Sequence, residues 1–137
     1  MLYIGIDPGK GGGMVVLGNT GTHRVSIFSD KSEGLLWESI KTLIQYDDCV
    51  ALIEKIPSIT FNKGRNNSAS NIAELYGHYR MLRAFLTAAS IPYSEIRPQD
   101  WQKQMGIEPR FKTETDSAWK NRLRLAARKI FPRINIS

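Results

Sequence analysis

The sequence predicts an α/β protein: a mixed sheet of three antiparallel strands followed by alternating helices and strands, with helices on both faces. Three observations carry this. Short apolar runs separated by glycine-rich turns fill the first thirty residues. Further short apolar runs then alternate with segments whose apolar residues recur every three or four positions. At 137 residues and 42% apolar content, the chain has enough material for one core and no room for a second domain.

Residues 2–6 form the first apolar run, which halts at Asp7-Pro8-Gly9; residues 14–17 form the second, after Lys10-Gly11-Gly12-Gly13. Glycines there supply the positive φ values of a tight connection. Asn19-Thr20-Gly21 marks another turn, and residues 24–28 alternate as a third strand, completing an antiparallel meander. Ser32 and Glu33 open a helix with Leu36, Ile40, Leu43 and Ile44 on one face, ending near Asp47-Asp48. Val50-Ala51-Leu52-Ile53 reads as a buried strand that ends at Glu54. Reached through a helical crossover, it can lie parallel to an earlier strand.

Residues 57–67 are polar and irregular, a loop carrying Phe61, Lys63 and Arg65. Ser68 can cap the longest helix, residues 69–89, with Ile72, Leu75, Tyr79, Leu82, Leu86 and Ala89 inward. A second stripe, Ala69, Ala73 and Gly77, lets another backbone approach closely; packing on its own sheet is the other reading. Residues 93–96 form a fifth strand, and Pro98 suits the first turn of a short helix to Met105. After a loop over residues 106–115, a last helix runs from Asp116 to about Phe131, with Trp119, Leu123, Ala127 and Ile130 inward. The order β-β-β-α-β-α-β-α-α resembles that of the RNase H-like fold.

Charge is unevenly spread. Residues 1–102 hold ten basic and ten acidic residues, whereas residues 103–137 hold nine basic and three acidic ones, so the whole net charge of +6 lies in the last quarter. Such asymmetry favours a polyanionic partner, most simply nucleic-acid phosphates; an ordinary solvated helix face is the other reading. The single cysteine, Cys49, excludes a disulfide framework and a cysteine-based zinc cluster. No apolar stretch approaches the roughly 20 residues of a membrane span, and the N-terminus lacks signal-peptide features. The expectation is a soluble intracellular domain.

Asp7 ends the first strand and Glu54 the fourth. If those strands are parallel neighbours, both carboxylates emerge at the same end of the sheet, where open α/β folds place their sites. Two acids there can share a hard cation such as Mg²⁺, and a metal pair about 4 Å apart can activate water and stabilise the leaving oxygen of a phosphodiester. Asp-Pro-Gly as a plain turn, and Glu54 as a solvated strand end, are the other readings.

The motif Ile4-Gly5-Ile6-Asp7-Pro8-Gly9, the strand after a glycine-rich turn, Leu52-Ile53-Glu54-Lys55 and the long helix behind a variable loop together resemble RuvC-type Holliday-junction resolvases. Ile96-Arg97-Pro98-Gln99-Asp100-Trp101 and the lysine-led helix from Lys120 to Phe131-Pro132 resemble phage-like members. The resemblance implies a cytoplasmic, bacterial or phage-encoded homodimeric endonuclease that cuts four-way DNA junctions with Mg²⁺ or Mn²⁺. It implies that Asp7 and Glu54 are catalytic metal ligands, and that the loop after Glu54 enters the junction. Phe61 is then a wedge or stacking residue, or alternatively a loop anchor, and Lys63 and Arg65 are phosphate contacts. Lys112 and Lys120 fall where the family places lysines near the scissile phosphate, Lys120 the better placed of the two. Arg124 joins them as a DNA contact. The helix carrying Ala69, Ala73 and Gly77 is where the family dimerises.

The family completes its metal site with two further acidic residues, or an acid and a histidine, on a helix beyond the Phe-Pro. No Asp or Glu follows Asp116 here, His23 and His78 come too early, and Glu114 and Asp116 do not match the family positions. The expectation is a chain truncated at its C-terminus. A non-catalytic branched-DNA-binding relative is the alternative. An actin-like ATPase or sugar kinase shares the first hairpin but needs several hundred residues, and no GxxxxGK[ST] loop occurs.

Overall fold

The fold was analysed in a computed structural model that describes residues 1–21, 23–29, 31–45, 48–56 and 69–132. Five strands form one sheet: β1 (Leu2–Asp7), β2 (Gly13–Gly18), β3 (His23–Ile27), β4 (Cys49–Glu54) and β5 (Tyr93–Ile96). Their order is β3-β2-β1-β4-β5. The first three strands pair antiparallel, as the glycine turns between them require, whereas β4 lies parallel to β1 and β5 parallel to β4. Four helices complete the order: α1 (Glu33–Leu43), α2 (Ala69–Ala88), α3 (Pro98–Gln104) and α4 (Asp116–Ile130). This is the mixed α/β architecture expected from the sequence.

The chain divides into two compact units, Met1–Arg97 and Pro98–Ser137. In the first, alternate strand residues Ile4, Ile6, Met14, Val16, Ala51 and Ile53 share one core with Leu36, Ile40 and Leu43 of α1 and Tyr79, Leu82 and Leu86 of α2. Strand alternation leaves Tyr3, Val25, Ile27 and Leu52 exposed. Ser26 on β3 and Phe28 just beyond it point inward, so the polar Ser26 is buried while its apolar neighbours face out. Phe28 decides that phase, because its large ring gains most from the core.

Helix boundaries follow local chemistry. Ser32 caps α1 by accepting from the Leu35 N–H. That helix stops sooner than its sequence suggests: Ile44 is its C-cap and is exposed, so it does not join the inward face. Within α2, Tyr79, Leu82, Leu86 and Ala89 are buried, while Ile72 and Leu75 are only half-buried near the helix start. The proposed cap Ser68 lies outside the described residues. After α2, Ser90 adopts a left-handed φ of 55°, and the Ile91 N–H reaches back to the Leu86 carbonyl, a closure that satisfies an end-of-helix acceptor.

In the second unit, Gly106 takes the left-handed position after α3 (φ 67°), and the Ile107 N–H bonds the Gln102 carbonyl. Thr115 caps α4 by accepting from the Ala118 N–H. Trp119, Leu123 and Ala127 are half-buried, but Ile130, expected inward, is exposed in the last turn.

Candidate functional site at the strand ends

The β1–β4 register pairs Leu2 with Cys49 and continues without a break to Ile6 with Ile53. Asp7 and Glu54 are the next residues on their strands, so they close the two strands side by side. Neighbouring strands lie about 4.8 Å apart. Ile6 and Ile53 point into the core, and the pleat turns the residues after them to the opposite face. Asp7 and Glu54 therefore lie at the same end of the sheet, as expected for parallel neighbours, and the pleat puts them on one face.

The turn after Asp7 is held from several sides. The Gly9 N–H donates to His78 Nδ1 at 3.0 Å, tying the turn to α2. Gly9 has a φ of 115°, which a side chain would strain. Gly12 crosses so closely over the Asp7 carbonyl that a Cβ would sit 2.1 Å from its oxygen, and its own carbonyl accepts from the Phe28 N–H. His78 also meets the Phe28 ring edge-on, 5.2 Å between centroids. Its tether spans 69 positions, so no local signal reveals it. Burial pushes His78 below its ordinary pKa, with the Glu33 charge acting against that shift, and this favours the neutral ring able to accept at Nδ1.

The Asp7 carboxyl is reached by solvent, yet the surrounding turn desolvates it enough to raise its pKa above the ordinary carboxylate value. Glu54 is half-buried. A hard divalent cation suits this donor set: two carboxylates on one edge, one of them destabilised as an anion by its surroundings. Among the described residues, no group of three His, Cys, Asp or Glu is arranged around a common metal position. Glu95 is not a third ligand. It pairs with Ile53 across β4 and β5, so it lies on the core side of the sheet. There it accepts from the Tyr79 hydroxyl and forms an ion pair with Arg83 at 3.2 Å.

Lys112, Lys120 and Arg124 lie in the second unit. Lys120 and Arg124 are exposed one turn apart on α4, Arg124 also bonding Asn121. Lys112 is exposed on the loop between α3 and α4. Phe61, Lys63 and Arg65 fall outside the described residues. Two arginines counted in the basic quarter are engaged internally: Arg122 holds the Glu114 carboxylate through two nitrogens, and Arg110 pairs with Asp116 at 2.6 Å. Their partners are the two acids that match no family position. The exposed stripe of α2, Ala69, Ala73 and Gly77, does not pack on the sheet, and nothing lies within 4 Å of a Cβ built on Gly77.

No family profile and no curated protein sequence matches the chain. Solved structures do. Thermus thermophilus RuvC in complex with a Holliday-junction substrate superposes with a TM-score of 0.62 at 14% identity, covering 100% of this chain and 83% of that one. A second T. thermophilus RuvC structure gives 0.55 at 15% identity, covering 96% and 81%. The fold is that of RuvC. Among the described residues no helix is long and apolar enough to cross a membrane.

Proposed function

We propose that this chain is a metal-dependent, structure-selective endonuclease that resolves four-way DNA junctions, on the pattern of the phage-like RuvC relatives its sequence resembles. The observation that carries the reading is the convergence of Asp7 and Glu54 at the ends of neighbouring parallel strands, in a fold shared with a protein solved on a Holliday junction. Mg²⁺ or Mn²⁺ is the proposed ion, which when bound polarises the phosphate and lowers the pKa of a water. Asp7 and Glu54 hold and orient it, and the His78–Gly9 tether keeps Asp7 in place. Lys112, Lys120, Arg124, Phe61, Lys63 and Arg65 contact DNA, as the sequence resemblance implies. A homodimer through the exposed Ala69, Ala73 and Gly77 stripe presents two sites to opposite junction arms.

The test is cleavage of four-way, forked and duplex DNA in Mg²⁺. Asp7→Asn and Glu54→Gln should each reduce junction cleavage by about a hundredfold or more and leave junction binding within about twofold, because neither removes a phosphate contact. Undiminished cleavage by both variants would overturn the reading. Junction binding by the unsubstituted chain without any cleavage would establish the binding-protein alternative instead.

A further inference from the structure

Phe111 is the most exposed large apolar side chain among the described residues, at 60%, yet its backbone is pinned and its ring carries a cation contact. Its N–H donates to Glu114 Oε2 at 3.3 Å, and its carbonyl accepts from the Glu114 N–H at 3.0 Å, closing a turn with Lys112 and Thr113 at the tip. Its ring lies over the Arg122 guanidinium, 5.0 Å from carbon to centroid, and the same guanidinium sits 4.5 Å from the Trp119 centroid. Arg122 cannot swing away, because it also bonds both Glu114 oxygens and the Glu108 and Pro109 carbonyls. An isolated exposed phenylalanine is ordinary. One locked in place by a charge-assisted cluster, with a cation on either side in sequence, is a prepared surface.

Resting on the nucleic-acid reading above, we propose that Phe111 is a stacking platform for an unpaired nucleobase, with Lys112 meeting the adjacent phosphate. Aromatic stacking is tolerant of base identity and gains from a ring that loses little freedom on binding. The surroundings favour a base over an apolar protein pocket. Glu114 and Asp116, two of the three acids in the last quarter, are paired with Arg122 and Arg110, and Lys112, next to Phe111 in the chain, is exposed. An unpaired base with its phosphate offers the matching pair, a flat π-face and a negative charge.

The test uses the full chain and forked DNA with an unpaired 2-aminopurine at the branch, against a fully paired duplex. Stacking should quench the 2-aminopurine. Phe111→Ala should abolish that quenching and weaken forked-DNA binding about tenfold, with duplex binding within twofold, while Phe111→Trp should retain both signals. Phe111→Leu, which keeps an apolar contact without a π-face, should behave as the alanine variant. Equal affinity of Phe111→Ala and the unsubstituted chain for forked DNA would overturn the inference, as would equal losses on fork and duplex. If Lys120→Ala nonetheless weakens binding to both DNAs, the nucleic-acid reading stands without the platform. No DNA binding by the unsubstituted chain would overturn both.

Discussion

Tyr79 gives its hydroxyl proton to a hydrogen bond with Glu95, and the buried ring holds α2 against β5. Burial first, then the Glu95 contact and charge, raise its pKa to about 12. Protonated Tyr79 is thus favoured more in the folded chain than in the unfolded one. The stabilisation is complete below the ordinary value near 10 and is lost as pH rises from 10 through 12, on the order of 2 kcal/mol. Tyr93, which accepts from Arg83, is shifted the other way. Absorbance titration should show one late tyrosine that disappears in Tyr79→Phe, and the stability gap between the two proteins should close over the same range. A single transition near pH 10, unchanged by the substitution, would contradict the assignment. Asp7 and Glu54 were legible as candidates because each terminates an apolar run. His78 was not, because its role is an acceptor for a backbone N–H far away in sequence, and the sequence pattern carries no trace of that. Arg122 and Glu114 were equally hidden: eight residues apart across a turn, they read as surface charges until the loop folds back on α4.

At the scale of elements, the glycine turn between β1 and β2 controls where Asp7 sits. Gly12 has no room for a side chain beside the Asp7 carbonyl, whereas nothing lies within 4 Å of a Cβ at Gly11. Gly12→Ala should therefore cost about 1–3 kcal/mol through backbone displacement, and Gly11→Ala much less. Urea unfolding midpoints measure this, and equal midpoints would show that the turn yields freely. The element order was readable because turn residues and the change of period fall at the strand and helix boundaries. Ends were less readable. Ile44 and Ile130 both continue a helical apolar pattern, but each sits at the end of its helix and is exposed. The parallel β4–β5 pairing, too, depends on long-range contacts that a local pattern does not encode.

For the whole molecule, the proposed function requires the charge asymmetry to act on DNA through cations that are not already engaged. Lys112, Lys120 and Arg124 are exposed, whereas Arg110 and Arg122 are committed to Asp116 and Glu114. Binding should weaken steeply with salt, and alanine at Lys112, Lys120 or Arg124 should each reduce the log–log slope by about one. Lys41→Ala, which removes a cation paired with Glu38 on α1, should leave it unchanged. Equal slopes for all four variants would separate the basic quarter from DNA binding. Sequence composition located that quarter but not which of its charges are spent inside the fold.

Ion binding by the two strand-end carboxylates is the claim on which the nuclease reading turns, and Mn²⁺ titration followed by electron paramagnetic resonance measures it without any need for turnover. The unsubstituted chain should remove free Mn²⁺ from solution, and Asp7→Asn and Glu54→Gln should each weaken that binding at least about tenfold, consistent with the loss of one charged ligand. Identical Mn²⁺ binding by all three proteins would contradict the account.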